Sequence, residues 1–143
     1  MKEHQNLFRD LQEDFRKMKK NLLVAQSGGP TAAINATLAG VIKQAIKEEQ
    51  IDQVYGACYG IQGVLEQKFV NLTEKVDTEE KLEKLKRTPA AALGSCRFKL
   101  NDIKEDDSQY QEIVDILHKM NIGYFVYIGG NDSMDTVHKL AGF

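Results

Sequence analysis

Two glycine pairs carry the chemistry that this sequence can offer. "SGGPT" (27–31) and "GGNDS" (129–133) each follow a short apolar run and open a helix-like one. Glycine lets a backbone turn sharply and come close to a ligand. The first N–H groups of the helix that follows have no partner within it, and the helix dipole adds partial positive charge there. That combination suits phosphate. Gly28, Gly29, Gly129 and Gly130 would shape the two cradles, and Thr31 and Ser133 would each add a hydroxyl. Two cradles suit a molecule with more than one phosphate, or a phosphoryl group in transfer. The same pairs also fit a plainer role, that of making the strand-to-helix turn. Neither is a Gly-Lys-Ser/Thr phosphate loop, and neither fits Gly-x-Gly-x-x-Gly.

Charged residues nearby extend the reading. Asp132 and Asp135 are candidate carboxylates for a magnesium ion held through water beside phosphates. Asp135 suits the first turn of a helix better, as a favourable charge. Arg97 follows a glycine and a serine in an apolar stretch, where a guanidinium fork can grip phosphate. His4, His118 and His138 lie far apart with no cysteine near them, so no zinc site is proposed. His118 reads as a surface residue near a helix end. Cys96 beside Arg97 would have a lowered pKa, but no base accompanies it. Tyr55, Tyr59, Tyr124 and Tyr127 read as packing residues in strand-like segments.

The elements that must hold these residues follow from the apolar pattern. "NLLVAQ" (21–26), "QVYGACY" (53–59) and "IGYFVYI" (122–128) read as buried strands. Helices are expected after 27–31, over 74–87, over "SQYQEIVDILHKMNI" and over about 132–140. In the first of these, Ala33, Leu38, Val41, Ile42, Ala45 and Ile46 form the expected apolar side, with Pro30 in the opening turn. Ser108 and Gln111 have capping-box spacing. "KFVNL" suits a short edge strand, and "AAALGSCRF" (90–98) is not placed by propensity. Strands without polar alternation, separated by helices, predict an α/β fold: a Rossmann-like, mostly parallel sheet in three layers. Ligands of such sheets bind beyond the carboxyl ends of the strands. Residues 1–20 form a separate amphipathic extension, with Leu7, Leu11, Phe15 and Met18 on one stripe. That stripe is expected to pack on its own domain or on a partner subunit. Residues 21–143 form the α/β unit itself, with both glycine cradles.

Composition narrows the class. The 143 residues are 42% hydrophobic and carry a net charge of −2, which gives no nucleic-acid footprint. No apolar run reaches the length of a membrane span, and the charged start is no signal peptide. Cys58 and Cys96 read as free thiols in a reducing, cytoplasmic compartment.

"SGGPTAAINATLAGV", "YGACYGIQGV", "LGSCRF" and "YIGGNDSMDTVHKL", in that order and at these separations, give the sequence a resemblance. From about Asn21 onward it resembles the amino-terminal part of 6-phosphofructokinase, most closely the diphosphate-dependent branch. The resemblance implies a glycolytic phosphotransferase that acts on fructose 6-phosphate, with magnesium and with diphosphate as donor; ATP is the alternative donor. It places Gly28, Gly29 and Arg97 at the donor phosphates. Gly130, Asn131, Asp132 and Ser133 join them, with Asn131 and Asp132 beside the metal. ATP-using members carry glycine where Asp132 stands, which leaves room for the nucleotide. Most members have aspartate where Asn131 stands, and an amide brings oxygen without charge. Family chains are more than twice this length, and their catalytic carboxylate and sugar-binding residues lie beyond the match. The resemblance therefore implies a truncated gene product or a fragment, inactive alone or serving as a phosphate-binding or regulatory piece. The complete enzyme is expected to be a homo-oligomer.

Overall fold

The computed structural model describes residues 2–26, 32–89, 91–94, 100, 104–129 and 131–142. Helix α1 (Lys2–Met18) is joined through Lys19 to strand β1 (Lys20–Gln26). Then come α2 (Ala32–Lys47), β2 (Ile51–Ala57), α3 (Gly60–Leu65), the short β3 (Phe69–Asn71), α4 (Leu72–Lys75) and α5 (Glu79–Arg87). The described chain ends in α6 (Ser108–Lys119), β4 (Ile122–Ile128) and α7 (Asn131–Ala141). The sheet order is β3-β2-β1-β4. Strand β1 pairs in parallel with β2 on one side and β4 on the other, whereas β3 runs antiparallel at the edge.

The central strand explains the layers. Leu22, Leu23, Val24, Ala25 and Gln26 are all buried, so β1 must be covered on both faces. Leu22 and Val24 pack with Leu38, Ala39, Ile42 and Ala45 of α2, and with Leu72 and Leu82 of α4 and α5. Leu23 and Ala25 face Ile61 and Val64 of α3 and Tyr110, Ile113 and Ile116 of α6. Each successive side chain along β1 therefore serves the opposite layer. This is the three-layer, mostly parallel α/β fold that the apolar runs predict.

Several expectations are corrected in detail. The single helix expected over 74–87 is two, because Thr78 caps α5 by accepting a hydrogen bond from the Lys81 N–H at 3.2 Å. Asn71 caps α4 in the same way through the Glu74 N–H. The expected capping box at Ser108 is absent. Ser108 is already helical, and the N-cap is Asp107, which makes no side-chain cap bond. The buried face of α2 is turned from the expected one: Ala33 and Ile46 are exposed, while Ile34 and Asn35 lie inside. Strand β4 is only partly buried, because it forms the edge of the sheet opposite β3. Tyr59 lies past the end of β2, not in a strand. In α1, Leu7, Phe8 and Leu11 are exposed, so the stripe does not pack on its own domain among the described side chains. Both faces of the sheet are already covered by other helices. Pro30 lies outside the described residues.

Candidate functional site

Three parallel strands end at one edge of the sheet. Ala25 is paired with Ala57, and Gln26 with Ile128. The segments that begin at 27 and at 129 therefore leave neighbouring strands, which run about 4.8 Å apart. Each leads into a helix, α2 or α7, whose N-terminus faces that edge. The first turn of α2 carries no acidic residue, so its dipole is not offset there. The order of strands in the sheet departs from their order in the chain between β1 and β4, and a crevice at such a point is where ligands bind in open α/β sheets.

A buried amide pair lies directly behind this edge. Gln26, the last residue of β1, and Asn35, in the first turn of α2, are both fully buried. The Gln26 Nε2 donates to the Ile34 carbonyl at 3.2 Å and to Asn35 Oδ1 at 3.1 Å, while its Oε1 accepts from the Leu93 N–H at 2.9 Å. Asn35 Oδ1 also accepts from the Ala92 N–H at 2.9 Å, and Asn35 Nδ2 donates to the Thr88 carbonyl at 2.6 Å. Residues 91–94 are held from the other side as well. The Tyr59 N–H donates to the Leu93 carbonyl at 2.8 Å. Gly94 has φ +77°, and a Cβ there would stand 2.8 Å from the Tyr59 ring. Gly56 is equally constrained, since a Cβ would meet Leu93 at 2.8 Å. Tyr59 and Gly60 themselves adopt left-handed conformations, φ 65° and 62°, at the turn into α3. Tyr127 secures that turn by accepting from the Ile61 N–H at 3.1 Å.

The residues singled out in the sequence fall unevenly. Gly28, Gly29, Thr31, Arg97 and Gly130 lie outside the described residues, as does Cys96. Gly129 is an exposed bend immediately after β4. Asn131 and Asp132 are the first two residues of α7. Ser133 follows and is buried, at 2% exposure. Asp135 pairs with Lys139 at 2.8 Å, one helical turn on, and as the fifth residue of α7 it lies past the first turn in which it was expected. His118 is exposed in the last turn of α6, where a surface role was expected. Among the described residues no group of three or more His, Cys, Asp or Glu side chains could hold a metal. At the β2 side of the same edge, Lys68 bonds Glu66 at 2.9 Å and lies 6.0 Å from the centre of the Tyr59 ring. The Lys68 hydrogen bond, and after it that from Gln62, lowers the Glu66 pKa; Glu66 in turn raises that of Lys68.

Gln26 and Asn35 are missing from the sequence-based set. Their signal was present: an amide closing an apolar strand, and another inside an apolar helix stripe. A polar side chain in such a place must be hydrogen-bonded.

The family model described as Phosphofructokinase matches residues 21–142. The chain belongs to the phosphofructokinase family. Among its relatives is the pyrophosphate–fructose 6-phosphate 1-phosphotransferase of Rhodospirillum rubrum, 44% identical over 119 residues, or 83% of this chain. The chain spans 28% of the length of that relative. It matches the amino-terminal part of such proteins. A solved pyrophosphate-dependent phosphofructokinase from Nitrosospira multiformis superposes with a TM-score of 0.76 at 38% identity, covering 86% of this chain and 29% of that one. An ATP-dependent 6-phosphofructokinase of Bacteroides thetaiotaomicron is more distant, at 31% identity over 82% of this chain and 34% of its own length. The three-layer sheet is thus the amino-terminal part of the phosphofructokinase fold. Its two glycine segments leave adjacent strands of that part.

Proposed function

We propose that this chain forms the donor-phosphate-binding part of a diphosphate–fructose-6-phosphate 1-phosphotransferase. The observation that carries the reading is the placement of segments 27–31 and 129–133 at the ends of paired strands, each running into a helix N-terminus. Identity with pyrophosphate-dependent relatives exceeds that with the ATP-dependent one. In this reading Gly28, Gly29 and Thr31 bind one end of the donor and Arg97 grips its oxygens. Gly129, Gly130, Asn131, Asp132 and Ser133 hold the other end.

Asn131 and Asp132 supply an amide oxygen and a carboxylate at consecutive positions of a helix start. That donor set fits magnesium, a hard cation that takes one or two protein oxygens together with substrate phosphates and water. When bound, the ion supplies neutralisation of charge on the phosphate oxygens. Asp132 sets donor choice: its carboxylate crowds and repels a nucleotide's α-phosphate region, whereas diphosphate needs less space. The residues that bind fructose 6-phosphate and take the proton of its 1-hydroxyl belong to the rest of a longer enzyme, which assembles as a homo-oligomer in the cytoplasm. No membrane role is assigned, and among the described residues no helix is long and apolar enough to cross a membrane.

The test is an assay of the complete protein that carries this chain. Fructose 1,6-bisphosphate formation is followed with diphosphate and, in parallel, with ATP at saturating magnesium. A kcat/KM that favours diphosphate is expected. A large preference for ATP would overturn the reading.

A further inference from the structure

Helix α1 carries an apolar stripe that the described side chains leave open to water. Every side chain from Lys2 to Asp14 is exposed, and Leu7, Phe8 and Leu11 are each more than half so. A helix of this length is marginal in water on its own, because most helical stability in proteins comes from packing one apolar face. The sheet offers α1 no open face, since other helices cover both. The family match begins at residue 21, so α1 lies outside the shared phosphofructokinase part. Another surface must cover the stripe.

The spacing shows what shape of partner fits. Positions 4, 8 and 11 follow one another at four and three residues, and the sequence continues that alternation at Phe15 and Met18. Such an alternation is the period of a coiled coil, whose seam is presented to another helix. In heptad terms Phe8 stands at a, and His4 and Leu11 at d. Leu7, at g, widens the seam on one side.

Charge shows which helix. The segment Lys2–Met18 holds four basic and four acidic residues, which favours neither an anionic membrane surface nor a strongly charged partner. Its charges are sorted instead. Lys2 and Arg9, at b, lie on one flank of the seam, while Glu3 and Asp10, at c, and Asp14, at g, lie on the other. In the sequence Arg16 continues the basic flank, and Lys17 interrupts the acidic one. Two parallel copies of this helix bring the acidic flank of each against the basic flank of the other. Two antiparallel copies bring like against like.

We propose that α1 is a dimerisation helix: two copies of this chain join through a parallel, in-register α1–α1 coiled coil with Phe8 and Leu11 in its seam. The proposal does not depend on the donor-site reading.

The 143-residue chain is tested by sedimentation equilibrium at rising concentration. Its mass should climb from that of one chain to that of two. Leu11→Asp sets two carboxylates against each other in the seam, and the dimer Kd should rise about a hundredfold or more. The variant should stay folded by circular dichroism, since Leu11 lies in neither layer of the core. Charge variants then test whether the partner is a second copy. Lys2→Glu/Arg9→Glu makes both flanks acidic, and Glu3→Lys/Asp10→Lys/Asp14→Lys makes both basic. Each alone should pair about tenfold more weakly or worse, and an equimolar mixture should restore pairing. His4→Cys and Leu11→Cys test orientation, because both stand at d, one heptad apart. On mild oxidation each should give disulfide-linked dimers above the wild-type background, as only a parallel, in-register pair brings both positions onto their own copies. A wild-type chain that keeps the mass of one copy at every concentration would overturn the proposal. So would a dimer that survives Leu11→Asp, a mixture that restores nothing, or cross-linking at only one of the two positions. Binding of wild type to phosphatidylglycerol vesicles without pairing would assign the stripe to a membrane surface and overturn it as well.

Discussion

A single methyl group separates two kinds of glycine in this chain. Gly40 lies on the exposed side of α2 with nothing within 4 Å of a built Cβ. Gly40→Ala should stabilise the fold by about 0.5–1 kcal/mol, because alanine loses less backbone freedom in a helix. Gly63 is the opposite case, since a Cβ there would collide with the Cys58 carbonyl oxygen. Gly63→Ala must push the turn after β2 apart and should cost about 3 kcal/mol or more. Urea denaturation of the two variants beside wild type checks both signs at once. Asp132 offers a functional test at the same scale. In the complete enzyme, Asp132→Gly should raise the ratio of kcat/KM with ATP to that with diphosphate, and an unchanged or lower ratio would count against the role given to this carboxylate.

At the scale of elements, caps and ion pairs decide what the apolar pattern cannot. Thr78→Ala removes the cap of α5 and should cost about 1 kcal/mol, lowering Tm by roughly 3–5 °C. Asp77 and Lys81 add an ion pair at 2.7 Å across that helix start, and the hydrogen bond from Lys81 holds the Asp77 pKa below its ordinary value. A depressed carboxylate contributes stability above its unfolded pKa, near ~4, and loses that contribution as the pH falls through the lower, folded value. The Tm advantage of wild type over Asp77→Asn should therefore be present at pH 6, fade towards pH 2–3 and shrink in high salt, as thermal melts across pH would show. The strands were legible because β1, β2 and β4 are apolar runs bounded by glycine or polar residues. Helix breaks were less so: Thr78 is one polar residue among many between 74 and 87, and only its hydrogen bond distinguishes a cap. The Ser108 spacing misled for the converse reason, since a motif in sequence does not oblige the side chain to bond. Asn35 was passed over because an amide in an apolar stripe states a need for partners without naming them, and two of its partners lie 53 and 57 residues away.

For the whole molecule, the glycine segments were legible as a pair, but their adjacency was not: it depends on β4 returning to the side of β1 away from β2. Assayed alone, residues 1–143 should form no fructose 1,6-bisphosphate at rates near the ~1–10³ s⁻¹ usual for enzymes, because on the proposed reading they hold the donor and no acceptor in line with it. Turnover in that range, from a host lacking its own phosphofructokinase, that falls in Arg97→Ala would overturn this. The central place of β1 has one more consequence, in time. Of the four strands described it is synthesised first, yet its second edge is filled only by β4, which emerges about 100 residues later, at a translation rate of roughly 5–20 residues per second. For several seconds Leu22–Gln26 must exist as a nascent apolar strand with half its hydrogen bonds unmade.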